Sequence, residues 1–479
     1  MMKMMFNPML SGALLACLIA APAQAQETPA KGEKSVSAAP SYPPFQIIVA
    51  DERYDYLSDA DKRTSLWPSL KYIPITDGSY LSLGGEIRPR VEAREHMGFG
   101  RGAEDSGLNS QLRSRLWADL HVTPNVRIFA ELQSAFTTGE DVAGPAVDQN
   151  PLEVQQAFVE FSTSPSSQGS LALRLGRQQI MMGKRRLIEP RGAPNYMRAY
   201  DAARLLGHSG KWRFGLMGGA PVRDELGTLN DSTNDDWTFI AGHVARKMDE
   251  ILPGSDLELL YIHTNRKIAP MDRFVGKRET LSARFSGKNG GLDYDVELIG
   301  QHGKAQTGTG DQQKVRAWYV GTDSGYTFPV AWQPRLGLKV DIGSGDTNPN
   351  DNRMGSYDFL WSASMTWTPE LGYTNLISAG PTLRVKPMSK LTVDLGSAGL
   401  WRTTLKDGLY NLSHRQIRSV AEGRSRYVGL RTTAKVEYQW NRWLLTGLYV
   451  NRTFAGDFLK ETGDSKDMLH SALYTTFRF

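Results

Sequence analysis

"YLSLGGEIRPRVEAR" (Tyr80–Arg94) is the stretch on which the fold turns. Leu81, Leu83, Gly85, Ile87, Pro89, Val91 and Ala93 alternate with Ser82, Gly84, Glu86, Arg88, Arg90, Glu92 and Arg94. A period of two puts the first set on one face of a strand and the second on the other. One face is apolar and the other charged, so the strand separates two unlike surroundings.

The same division recurs along the chain. Leu112, Leu116, Leu120 and Val122 oppose Arg113, Arg115, Asp119 and His121. After the tight turn "TPN", Ile128, Ala130, Leu132 and Phe136 oppose Arg127, Glu131 and Gln133. Near the end, Val428, Leu430, Ala434, Val436 and Tyr438 oppose Arg431, Thr433, Lys435 and Glu437. Connection lengths then separate two kinds of sheet protein. In a soluble sandwich the turns at the two ends show no systematic difference in length. Here short turns at "TPN", "SPSSQG", "GHSG", "KNGG", "KPMSK" and "WNR" interleave with long connections near 95–109, 137–152, 180–198, 220–235, 343–372 and 403–424. Short at one rim and long at the other is the arrangement of a transmembrane barrel, with periplasmic turns and extracellular loops. The pattern predicts an all-β, antiparallel transmembrane barrel over residues 79–479, of about eighteen strands, an even number as bacterial barrels require.

Its last strand, "LHSALYTTFRF", sets Leu473, Phe477 and Phe479 against His470, Tyr474, Thr476 and Arg478. This strand is expected to close the barrel on the first one, with Phe477 and Phe479 serving as the aromatic signal read by the barrel-assembly machinery. Trp318, Trp332, Tyr438, Trp440 and Trp443 stand near strand ends, where they suit interfacial girdles; each singly also suits a core.

Composition agrees with a barrel and excludes helical membrane proteins. Of 479 residues 40 % are hydrophobic and mean hydropathy is −0.40, and no stretch beyond residue 25 approaches the apolar run that a membrane helix needs. The first 25 residues join one lysine, an apolar run from Met9 to Ala20 and the small-x-small triplet Ala23-Gln24-Ala25. They read as a secretory signal peptide. "LLAC", ending at Cys17, also resembles a lipoprotein box, although the apolar run continues past it. Cleavage after Ala25 would leave no cysteine and a formal charge of +4, 55 bases against 51 acids, too balanced for a nucleic-acid binder. Residues 26–45, rich in Pro, Ala, Lys and Ser, read as a disordered linker. Residues 46–78 form an N-terminal periplasmic segment without a sustained period.

A barrel of sixteen to eighteen strands is wide enough for water. With the apolar faces toward lipid, the lumen carries Glu86, Arg88, Arg90, Glu92, Arg94, Arg113, Arg115, Arg127, Glu131, Arg174, Arg335, Lys339, Asp341, Arg431, Lys435 and Glu437. Bases outnumber acids, which favours anions and suits carboxylates held by paired guanidinium donors. The same ladder also suits a pore that uses charge only to stay wet and to brace its strands. Five more bases, Lys184, Arg185, Arg186, Arg191 and Arg198, share one loop, which either enters the mouth of the pore or meets anionic lipopolysaccharide outside it.

That loop carries a resemblance. Gly176, Arg177 and Gln178, then Gly183, then Arg186, Leu187 and Ile188, then Asn195, Arg198 and Asp201 resemble the signature of the alginate-export family of outer-membrane porins. So do "KYIPI" before "YLSLGGEIRPRVE", "VDIGSGDTNPND" (Val340–Asp351), "NLI" at Asn375, "WR" with the later Asp407 and Tyr410, and "FAGDFLK" before the last strand. The resemblance implies an eighteen-stranded barrel whose best-understood relatives pass an anionic uronate polymer outward through an arginine-rich constriction, and it points to Arg177, Arg186 and Arg198 as constriction candidates.

No G-x-S-x-G, H-E-x-x-H or P-loop pattern and no Cys/His cluster is present, so no enzyme is expected. "DTNPNDN" echoes the start of a calcium loop through Asp346, Asn348 and Asn350, but Asp351 stands where the loop glycine belongs and Tyr357 where the glutamate does. The expectation is a monomeric outer-membrane porin for an anionic polysaccharide resembling alginate, fed by a periplasmic export scaffold. The alternative is an anion-preferring uptake porin for small solutes.

Overall fold

The computed structural model of the chain describes residues 43–101, 106–139, 148–163, 169–267, 274–306, 312–362, 371–420 and 423–479. The expected signal peptide and most of the expected linker lie outside them, as does most of the "SPSSQG" turn. The unit from Phe45 to Phe479 is an eighteen-stranded barrel. Its strands are β1 (Ser79–Glu95), β2 (Gly107–Thr123), β3 (Val126–Gly139), β4 (Asn150–Ser162), β5 (Gly169–Gln178), β6 (Tyr200–Ser209), β7 (Trp212–Arg223), β8 (Trp237–Lys247) and β9 (Ser255–Arg266), followed by β10 (Val275–Asn289), β11 (Leu292–Gln306), β12 (Gln312–Thr327), β13 (Arg335–Gly343), β14 (Leu376–Met388), β15 (Leu391–Arg402), β16 (Tyr427–Gln439), β17 (Leu444–Ala455) and β18 (Met468–Arg478). Each pairs antiparallel with the next. The barrel closes where β18 lies against β1, with Ile87 opposite Phe477 and Arg94 opposite His470. Closure leaves no unpaired strand edge facing lipid among the described strands.

Burial runs opposite to that of a soluble protein. Ile87, Leu281 and Leu298 are 48 %, 54 % and 55 % exposed, while Arg115 and Glu131 are 4 % and 1 % exposed. On β1–β3 the apolar set faces outward and the charged set inward, as the alternation requires. Val428 is a correction. The left-handed Gly429 (φ +156°) breaks the period at the start of β16, and Val428 is buried in a loop cluster with Leu400, Leu409 and Phe458 instead of facing out. Two-residue turns at 124–125, 210–211, 290–291 and 389–390 define one rim, and the connections 179–199, 344–375 and 403–426 define the other. Trp332 and Trp440 stand exposed in the short-turn rim.

One glycine of the signature is required by the backbone. Gly176 in β5 has φ +130°, and a Cβ there would sit 2.3 Å from the Ala157 carbonyl oxygen. Gly176→Val is expected to destabilise the barrel by about 2 kcal/mol or more, read as a lower urea midpoint of the refolded protein.

The two longest connections lean on each other. Asn375 Nδ2 donates to the carbonyls of Asp407 (2.9 Å) and Gly408 (3.0 Å), and Asp407 accepts from Ser356 Oγ (2.7 Å). At the tip of 403–426, the His414 ring stacks on Phe359 at 4.0 Å and meets Phe274 edge-on at 4.9 Å. Its Nε2 lies 2.9 Å from Asp358, which is also within 3.9 Å of Arg266 and 3.8 Å of Arg278. Burial lowers the His414 pKa against the opposing pull of Asp358. An undocked loop would take up a proton below about pH 6.5 that the docked loop refuses, so docking weakens as pH falls through the imidazole range. Proteolysis within 403–426 is expected to be faster at acid pH than at neutral pH, and His414→Phe should flatten that profile.

Candidate functional site

The wall built by β1–β6 spends most of its charge on itself. Arg113 Nε donates to Glu86 (2.9 Å), Arg115 to Glu131 (2.6 Å), Arg127 to Asp119 (2.6 Å), Arg174 to Glu160 (2.7 Å) and Arg177 to Asp201 (2.9 Å). Arg94 bridges Glu92 (2.9 Å) and Asp148 (3.2 Å). Inward positions on neighbouring strands lie about 5 Å apart, so alternate bases and acids pair across the sheet and need no outside partner. The N-terminal segment seals part of this wall. Ile48, Val49 and Ala50 pack on the inward-facing Trp117, Phe129 and Phe158, and the Ala50 carbonyl accepts from Arg127 (2.8 Å).

The basic loop 179–199 crosses the lumen. Its bend at Gly192–Pro194 turns three carbonyls to the β1–β2 wall, and buried carbonyls need donors. Arg88 supplies them to Gly192 (3.0 Å) and Pro194 (2.8 Å), Arg113 to Gly192 (3.1 Å), and Arg90 to Ala193 (2.7 Å). Asn195 Nδ2 donates to the carbonyls of Phe136 (3.0 Å) and Asp148 (2.9 Å). At the other end Arg186 reaches β11, donating to Asp295 (2.5 Å) and Glu297 (2.9 Å). Arg191 pairs with Asp224 and Arg198 donates to the Trp361 carbonyl. A second inward connection supports the first: Trp361 N–H donates to the Leu187 carbonyl (3.0 Å) and Ser362 Oγ to that of Arg185 (2.9 Å). Of the three constriction candidates, Arg186 and Arg198 thus fix the loop in place, and Arg177 braces the wall.

On the far side of this loop lies a cavity of about 480 Å³. Lys184 and Arg185 face it from the loop, and Arg335, Lys339, Arg431 and Lys435 from β13 and β16. Eight basic residues line it against four acidic ones, so its field favours anions. Arg335 lies 2.5 Å from Asp293 and 3.2 Å from Asp323, and Lys339 3.9 Å from Asp341. Arg185 makes no ion pair among the described residues; it is half-buried on a left-handed backbone (φ +67°) that turns its side chain out of the loop. A planar guanidinium placed this way can take a carboxylate through two parallel hydrogen bonds.

Among the described residues no group of three or more His, Cys, Asp or Glu is placed to hold a metal. At the expected calcium loop, Asp346 Oδ1 accepts from Asn348 N–H (3.1 Å) and Asn348 Oδ1 from Asn350 N–H (3.4 Å). These are Asx turns. The alternation did not reveal the inward connection 344–362. Its available signal was "YDFLW" (Tyr357–Trp361), an apolar aromatic run that has no place in a solvated loop.

The family model for alginate export matches residues 79–470. No curated protein matches the chain. Among solved structures it is similar to the outer-membrane protein opdK of Pseudomonas aeruginosa (10 % identity, TM-score 0.58, covering 85 % of this chain and 100 % of that one). It is also similar to a BenF-like porin of Pseudomonas fluorescens Pf-5 (10 %, 0.56, 83 % and 98 %). A third similar structure is OccK2 (OpdF) of Pseudomonas aeruginosa in complex with glucuronate (12 %, 0.54, 83 % and 98 %). These likenesses show the fold, that of an outer-membrane porin barrel.

Proposed function

Because the chain belongs to the alginate-export family, we propose that it is a passive outer-membrane channel for carboxylated saccharides of the uronate class, small enough to pass between the inward loop and the β13–β16 wall. The observation that carries this reading is the net-basic cavity left open beside loop 179–199. Its volume, about 480 Å³, falls in the range of sites for small ligands. The glucuronate held by the OccK2 barrel, a distant neighbour, supports the same chemical class. Solute would be drawn in by the positive field, and each carboxylate passed among Arg185, Arg335, Lys339 and Arg431, with the interspersed aspartates keeping dwell times short. Such a channel has no intrinsic direction; the gradient sets it.

The family match favours a second reading, outward passage of an alginate-like polyuronate handed over by a periplasmic scaffold. In both readings the barrel works as a monomer, and Phe477 and Phe479, which pack on Trp67 beside the closing seam, act as its assembly signal. Single-channel recording with uronates of increasing length separates the readings. Block by glucuronate that fades beyond a few sugar units supports the small-solute channel. Affinity that rises steadily with chain length supports the polymer conduit, and indifference to all of them would sink both.

A further inference from the structure

The outer wall of the barrel carries charge where a lipid-facing surface has no use for it. On β10–β12 the outward faces run through Leu281, Leu298 and Trp318, all exposed. Followed toward the long-loop rim, the register sets Leu281, Gly300 and Trp318 in one row, Glu279, His302 and Arg316 in the next, and Lys277, Lys304 and Lys314 in the last. Lys277, Lys304, Lys314 and Arg316 are exposed, and so is Arg353, which pairs alongside Lys314. None of these five makes an ion pair among the described residues. Glu279, the one acid of the two rows, is already engaged by Tyr261 Oη and by His263 Nδ1 at 2.6 Å.

Three lysines directly opposite one another on adjacent strands repel, which destabilises a sheet unless something anionic lies across them. Their place supplies that partner. They stand at the long-loop, outer-leaflet rim, two rows beyond Leu281 and Trp318 with Arg316 in the row between, so a lipid whose acyl chains lie on Leu281, Leu298 and Trp318 brings its headgroup onto the cations. Three strands span about 10 Å, enough for more than one phosphate. We propose that this patch on β10–β12 binds the phosphorylated headgroup of a glycolipid in the surrounding outer leaflet.

The test compares bisphosphorylated lipid A, its dephosphorylated form and inorganic phosphate as probes of the refolded full-length barrel in neutral detergent. The quadruple variant Lys277→Gln/Lys304→Gln/Lys314→Gln/Arg316→Gln is measured beside a control, Lys406→Gln/Lys460→Gln, whose lysines are exposed in long-rim loops. Each basic residue near an anionic surface is worth about fivefold in affinity, so the quadruple variant should bind bisphosphorylated lipid A about 600-fold more weakly. The control should match wild type, the dephosphorylated lipid should bind wild type as weakly as it binds the variant, and inorganic phosphate should not compete. If the quadruple variant does not refold, Lys304→Gln, the centre of the row, should still show the fivefold loss. Wild-type affinity in the variants, equal binding of both lipids, or competition by inorganic phosphate at lipid-like concentration would each overturn the proposal.

Discussion

Arg186→Ala is expected to enlarge the single-channel conductance severalfold. Arg186 is buried and ties the free arm of loop 179–199 to Asp295 and Glu297 on β11. Removing one partner of a buried ion pair typically costs about 3–5 kcal/mol, because the opposing charge is left without compensation. Arg284 still holds Asp295 (2.5 Å) and Ser282 Oγ still donates to Glu297 (2.6 Å), which places the cost at the lower end, about 3 kcal/mol. The barrel wall does not depend on this contact, so the loss should appear as release of the loop and not as unfolding. Conductance should rise and become noisier, and protease should cut within 179–199. Arg186→Lys, a point charge in place of a planar fork, should fall between. Wild-type conductance in the alanine variant would mean that the loop does not set the width of the pore.

The second large effect is on selectivity. Arg185→Glu/Lys339→Glu/Lys435→Glu turns a lining of eight bases and four acids into one of five and seven. The three side chains are only partly buried, so the variant should refold. A charged cleft changes local ion concentration by about 10–10³-fold. The permeability ratio of chloride to potassium is therefore expected to fall at least tenfold and to cross unity. Block by glucuronate should vanish with it. The double change Lys406→Gln/Lys460→Gln should do neither, because those lysines are exposed and do not line the cavity.

The barrel was legible because its signal is repeated: Ile87, Val91, Leu112, Leu116, Ile128 and Leu132 could all be placed on the outer face from period alone, and they lie there. The uneven turn lengths supplied the topology. Individual roles were less legible, since an arginine in a lumen-facing position reads the same whether it meets water, a carboxylate or a carbonyl. Arg88 and Arg113 hold a carbonyl 104 and 79 residues away in sequence, and Arg186 an acid of β11 109 residues away; no local pattern encodes such pairings. Arg185 and Arg186, neighbours in the chain, end in opposite roles because the left-handed backbone at Arg185 splits their directions. The segment 46–78 has no single period because it joins short 3-10 turns, a helix at Leu66–Lys71 and a strand at Ile73–Thr76, and its first turn, Ile48 to Ala50, is placed by fit to Trp117, Phe129 and Phe158 instead of by alternation.

The central claim is that the open part of the lumen is a basic passage that selects anions. Its most direct test is the reversal potential of the wild-type channel under a potassium chloride gradient at low ionic strength, where screening is weakest. The expected result is a potential with the sign of chloride preference that shrinks as salt is raised. A potential of the cation-selective sign, or none at low salt, would contradict it.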